Sequence, residues 1–152
     1  MIEYLGGDAR WVSHFLKVYA YAKAIGELEN LDDRTQEILE AAAIVHDIGI
    51  PPSIQKYGSA EGRHQEAEGP PIAAKMLTDL GYDEPMTQRV SYLVGHHHTY
   101  TGVDGLDYQI LLEADFLVNA DEGHLSRADL EGKMGFFRTE AGKRLLRQIY
   151  LK

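Results

Sequence analysis

Cysteine is absent from the 152 residues. That excludes disulfides, thiolate metal sites and a cysteine nucleophile, and it fits a reducing cytoplasm. No apolar run reaches the roughly 18 residues that a membrane span needs. The first residues, MIEYLGGDARW, lack a basic stretch followed by an apolar one, so no signal peptide is expected. No G-x-S-x-G element offers a serine nucleophile. Cations are also scarce: 15 Lys and Arg face 24 Asp and Glu, for a net charge of −9. Such a surface repels backbone phosphates, so no extended nucleic-acid interface is expected. A small anionic substrate remains open if metal ions reverse the local sign.

The length and the 44% hydrophobic content suit one domain spanning residues 1–152 with a full core. The pattern reads as nearly all helix. Val12, Phe15, Leu16, Tyr19, Ala22 and Ile25 recur at steps of three or four and predict a helix over roughly 11–28. Asp32 or Asp33 offers the next N-cap. The run Ile38 to Asp47 is apolar on nearly every side and belongs in the core, with Gly49, Pro51 and Pro52 ending it. Residues 53–62 read as a loop. Pro70-Pro71 start or kink a helix carrying Ile72 to Leu80, with Gly81 as its C-cap. A fourth helix runs from about Pro85 into the triplet His96-His97-His98. The segment 99–107 is a loop, and QILLEADFLVNADE from Gln109 is a second buried helix. Ser126 and Asp129 form a capping-box-like start for the last helix, which carries Phe136, Phe137, Leu145, Leu146, Ile149 and Tyr150.

The informative residues are titratable groups set in apolar helices. His46 and Asp47 close the most hydrophobic stretch, and Asp115 lies inside LLEADFLV. A lone buried carboxylate costs several kcal/mol unless it is paired or binds a metal. Taken singly, Asp47 is an ordinary helix cap, Asp115 half of a salt bridge, His14 a core histidine and His64 a solvated one. Taken together, six of the seven histidines stand in candidate positions with two out-of-place aspartates. Imidazole plus carboxylate suits Fe, Mn, Zn, Ni or Co. His124 lies outside this set as a surface residue.

The order His14, His46-Asp47, His64, His96-His97, Asp115 resembles the HD superfamily of metal-dependent phosphohydrolases. The neighbours carry the resemblance as well: SHFLKVYAYAKAI, AAAIVHDIGI, HQEAEGPPIAAKML and LLEADFLVNADE. It covers roughly residues 11–125. It implies a compact all-α bundle of about six helices. A one-metal site needs only His14, His46, Asp47 and Asp115. His64 and His96 fit the extra ligands of two-metal subgroups, so two divalent transition metal ions are expected, with Mg as a further option. Asp47 would bridge them. His14, His46 and Asp115 would hold one ion, and His64 with His96, His97 or both the other. The chain departs from the cyclic-di-nucleotide phosphodiesterases in having no Gly-Tyr-Pro after the paired histidines. It also has no lysine soon after the His-Asp pair, where HDIGIPP stands.

The resemblance implies a phosphoester or phosphoanhydride hydrolase acting through a metal-bound hydroxide on a small phosphorylated molecule, a nucleotide above all. Asp47 and His97 are the expected catalytic residues. Lys17, Lys56, Arg63 and His98 are the candidates to meet substrate, and Glu66 or Glu68 to orient a histidine. Consecutive helical residues point about 100° apart, so the triplet cannot send all three rings to one ion. His96 is expected first, His97 second, and His98 at the rim. Two other readings use the same ligands: a di-iron oxygenase, and a sensing module that holds metal without turnover.

Overall fold

The computed structural model describes residues 1–152 as eight α-helices and one short 3-10 turn, with no strand. No helix is long and apolar enough to cross a membrane. Helix α1 (Ala9–Leu28) begins where the Asp8 carboxylate accepts from the Arg10 N–H. Helix α2 (Asp33–Val45) is capped by Asp32, which accepts from Thr35 N–H. Both caps satisfy N–H groups that a helix start otherwise leaves unpaired. After α5 (Glu84–Val94) comes α6 (Leu106–Glu122), which is buried along nearly its whole length and packs against α1 and α2. One hydrophobic cluster joins α6 to side chains from α1, α2 and α5 and to Ala73, Leu77, Leu130, Ala141 and Leu146.

The segment expected as a loop over 53–62 is largely helical. Helix α3 (Ile50–Tyr57) holds Pro51 and Pro52 in its first turn, where a missing N–H costs nothing and the fixed φ favours the helix. It ends at Gly58, whose φ of 70° is left-handed. Gln55, Lys56 and Tyr57 face solvent, which is why composition imitated a loop. Helix α4 (Gly62–Asp79) contains His64 and passes through Pro70-Pro71 in its interior. Its backbone meets the start of α3 closely. A Cβ on Gly49 would lie 2.6 Å from the Gln65 carbonyl and 2.9 Å from the Gly69 nitrogen. Only glycine lets the chain after the His-Asp pair press against α4.

Helix α6 starts at Leu106, three residues before the expected Gln109, because Asp107 in its first turn is forked by Arg89 at 2.7 and 2.8 Å. The single last helix expected after Ser126 is instead α7 (Arg127–Lys133), the 3-10 turn Met134–Phe136, and α8 (Glu140–Tyr150). The capping box at Ser126 and Asp129 is present. The break comes from Glu113, a fully buried carboxylate on α6. It accepts from Arg138 N–H at 2.7 Å, Thr139 N–H at 3.0 Å, the Thr139 hydroxyl and the Gln109 amide. Those two N–H groups are lost to any continuous helix, and Thr139 restarts the chain as the cap of α8. These breaks raise the helix count from about six to eight.

Glu113→Ala would leave the two backbone N–H groups buried and unpaired. The expected loss is about 3 kcal/mol, or roughly 6–12 °C in melting temperature for a chain of this length. Calorimetry on the purified variant checks it, and an unchanged Tm would show that the α7–α8 break has another cause.

Candidate metal centre

Three elements bring charged and imidazole groups to one buried point. Helix α1 turns His14 inward beside Phe15 and Val18. The chain just past α2 supplies His46 and Asp47, and the middle of α6 supplies Asp115. His14 Nε2 lies 3.3 Å from His46 Nε2, 3.4 Å from Asp47 Oδ2 and 3.3 Å from Asp115 Oδ1. His46 Nε2 is 3.5 Å from both of those oxygens. The turn after α5 adds His97, whose Nε2 meets the other Asp47 oxygen, Oδ1, at 2.9 Å. Relative exposures are 0% for His46 and His97, 3% for Asp115, 5% for His14 and 7% for Asp47. Water therefore cannot neutralise the group.

The ring tautomers follow from what the far nitrogens touch. His46 Nδ1 lies 2.8 Å from the Ala43 carbonyl and His97 Nδ1 lies 2.7 Å from the Val94 carbonyl. A carbonyl only accepts, so each Nδ1 carries the hydrogen. Both carbonyls are in the last turn of a helix, where no intrahelical N–H reaches them. His14 Nδ1 likewise donates to Glu122 Oε2 at 2.8 Å. In the neutral rings, all three Nε2 lone pairs then face inward with the carboxylates. Lone pairs aimed at one another in a dry core demand a cation between them. Asp115 Oδ1 and His98 Nε2 are buried without a hydrogen-bond partner. The donor set of imidazole nitrogen and carboxylate oxygen fits a first-row divalent ion, and the held Nδ1 atoms are the usual support for such ligands.

Without metal, protons take the cation's part. Burial alone would lower the His14 imidazole, but contact with Asp115 and the charges of Asp47 and Asp115 push it up to about 9. His46 is raised in the same way, against its burial, by Asp47 and Asp115. Burial would raise Asp115, but His14 and His46 beside it hold it well below the usual carboxylate range. Asp47 is also held low, against burial, by the charge on His46 and the bond to His97.

Asp47, His97 and His98 form a second group of donor atoms, all within 4.8 Å of one another. Burial and the neighbouring His97 keep the His98 ring below the usual imidazole range. Glu66 fixes this turn by accepting from His98 N–H and the Thr99 hydroxyl, each at 2.9 Å. His96 turns away: its Nδ1 reaches the Tyr92 carbonyl and its ring stacks on Tyr92 at 4.0 Å. His64 stacks on Tyr57 at 4.0 Å and meets Ser59. Neither joins the buried group. Lys56 is paired with Glu68 at the surface, and Arg63 with Glu61. Lys17 pairs with Glu122 at 3.1 Å. Glu122 was passed over in the sequence. Its signal was its place seven residues after Asp115, two turns along the same face of α6.

Comparison with known proteins gives two findings. The sequence model of the HD domain family matches residues 11–124. Among solved structures, the chain is similar to a protein described as a predicted HD superfamily hydrolase from an uncultured Thermotogales bacterium. The two are 25% identical with a TM-score of 0.68, over 90% of this chain and 71% of that one. No curated protein matches the chain.

A proton bound more tightly in the folded state stabilises that state. For His14 the effect is complete below 6.5 and lost as pH rises through about 9. Chelator-treated protein should therefore melt at lower temperature at pH 9.5 than at pH 6.5, and His14→Gln should show a shallower fall. A melting temperature that is flat or rising over this window would mean that His14 is neutral in the metal-free fold.

Proposed function

The chain belongs to the HD domain family, and we propose that it is a metal-dependent phosphohydrolase that cleaves a phosphoester or phosphoanhydride of a small phosphorylated molecule, a nucleotide above all. The observation that carries this reading is the position of Asp47. One carboxylate oxygen faces His14 and His46, and the other faces His97. A carboxylate with ligand nitrogens on both sides is suited to bridge two ions. His14, His46, Asp47 and Asp115 would hold the first, and Asp47 with His97 and His98 the second. His97 was among the ligands expected from the sequence for the second ion; His98 would stand beside it in place of His64 and His96.

When bound, divalent ions supply Lewis-acid polarisation of a phosphoryl oxygen and acidify water near neutral pH. The protein's own part is to hold, orient and exclude. Two carboxylates leave a pair of divalent ions with net positive charge, which attracts an anionic ester to a chain of net charge −9. The carbonyls of Ala43 and Val94 and the Glu122 carboxylate keep three rings in the tautomer whose Nε2 can ligate. The near-complete burial of the group lowers the local dielectric and so strengthens every charge interaction within it. The chain has no cysteine, and this reading asks for no protein nucleophile.

Hydrolysis of p-nitrophenyl phosphate by metal-loaded protein is the test. Turnover should stop with chelator and return with added divalent ion, and Glu122→Gln should lower it about 10–100-fold. Oxygen consumption by iron-loaded protein with no phosphate release from any phosphoester would overturn the reading in favour of an oxygenase.

A further inference from the structure

His97 and His98 are neighbours in the chain, and neighbours on a helix point about 100° apart. Here they serve one place because the chain has left the helix. The Thr99 N–H returns to the His96 carbonyl at 2.8 Å and closes a β-turn whose two central residues are His97 and His98. Their ring centroids are 4.0 Å apart. Each places a ring nitrogen within 4.8 Å of an Asp47 oxygen. One backbone hydrogen bond gains less than the entropy lost in fixing four residues, so this turn needs support from outside.

Support comes from two helices. On the α4 side, Glu66 Oε1 accepts from the His98 N–H and the Thr99 hydroxyl. Gly62 backs the His98 ring, since a Cβ there would lie 2.8 Å from its Cγ. On the α6 side, the Tyr108 hydroxyl lies 2.6 Å from the Thr99 carbonyl and 2.9 Å from the His96 carbonyl. A carbonyl only accepts, so the phenol presents its one hydrogen to the pair. A single hydroxyl thus touches the first and the last residue of the turn. Tyr108 is itself held. Its side chain is fully buried, and it stands in the first turn of α6, which Arg89 ties to α5. Arg89 forks Asp104 at 2.8 and 3.0 Å as well as Asp107.

We propose that Tyr108 is the positioning residue for the second ion's ligands: by pinning both ends of the 96–99 turn, its hydroxyl keeps the His97 and His98 rings together beside Asp47. The assignment rests on the two-ion reading of Asp47. Tyr108 meets neither ion nor substrate and acts only through the turn. His14, His46 and Asp115 stand on α1, past the end of α2 and in the middle of α6, away from the turn. Loss of the hydroxyl therefore acts on one ion and spares the other.

Manganese(II) is titrated into the full metal-free chain, and electron paramagnetic resonance counts free and bound ions. Wild type should take two ions and show magnetic coupling between them. Tyr108→Phe keeps the ring and removes one oxygen. It should hold the first ion at wild-type affinity, bind the second about 10–100-fold more weakly, and show the coupled signal only at correspondingly higher manganese. Tyr150→Phe is the structural comparison. Its hydroxyl donates to the Leu117 carbonyl at 2.7 Å, so it loses a bond of the same kind yet should bind both ions as wild type does. Two ions bound at wild-type affinity by Tyr108→Phe would overturn the assignment and leave the two-ion reading standing. So would an equal weakening of both ions in the two variants. A wild-type chain that takes one ion would overturn the two-ion reading instead, and hydrogen exchange at the Thr99 amide then judges Tyr108. Exchange about 2–10-fold faster in Tyr108→Phe than in wild type supports the pinned turn, and equal exchange overturns it.

Discussion

Lone pairs from two imidazoles and two carboxylates face one another across 3.3–3.5 Å in a core that water does not reach. Two helices and the end of a third are held together at the point where their side chains would repel most without a cation. A carboxylate in such surroundings costs several kcal/mol when left alone. Protons on His14 and His46 lower that cost when metal is absent, and a divalent ion replaces them with the same charge concentrated at the centre of the group. The architecture follows from this requirement. Helix α6 is buried along its length because it must carry Asp115 to the middle of the bundle, and α1 and α2 pack against it to bring the remaining donors.

The same local device orients two of the rings. At the ends of α2 and α5, a histidine one turn past an unpaired carbonyl donates Nδ1 to it. This satisfies an acceptor that helix geometry leaves open and fixes which nitrogen faces inward. The negative ends of two helix dipoles also adjoin the group, which favours a cation there. Gly49 then lets the chain beyond Asp47 press onto the α4 backbone, so the His-Asp turn is clamped from outside. Glu122 does for His14 what the carbonyls do for His46 and His97. Because it also accepts from Lys17, it ties the orientation of a buried ring to a cation at the surface.

Much of this was legible in the sequence because burial and charge conflict there openly. His14, His46, Asp47 and Asp115 each interrupt an apolar helical face, and the structure brings all four together. The triplet His96-His97-His98 was harder. Its members lie beyond the last turn of α5, so helical periodicity does not set the direction of their rings. Tyr92 captures His96, and Glu66 fixes the backbone that turns His98 inward. Helix α3 was hidden because a short, solvated, proline-led helix has the composition of a loop. The break before α8 was hidden because its cause, Glu113, lies about 25 residues earlier and acts only through tertiary contact. Glu122 was overlooked as one more acid on an acidic chain. Only its partner, 108 residues away, gives it a role.

The central claim is that this arrangement of donors exists to hold metal. Elemental analysis of protein prepared without added chelator or metal tests it most directly, alongside an Asp47→Ala variant shown by circular dichroism to remain helical. The account predicts at least one equivalent of a first-row divalent ion per wild-type chain and its loss from the variant. A wild-type protein that carries no metal, and whose melting temperature does not rise when manganese, iron or zinc is supplied, would contradict it.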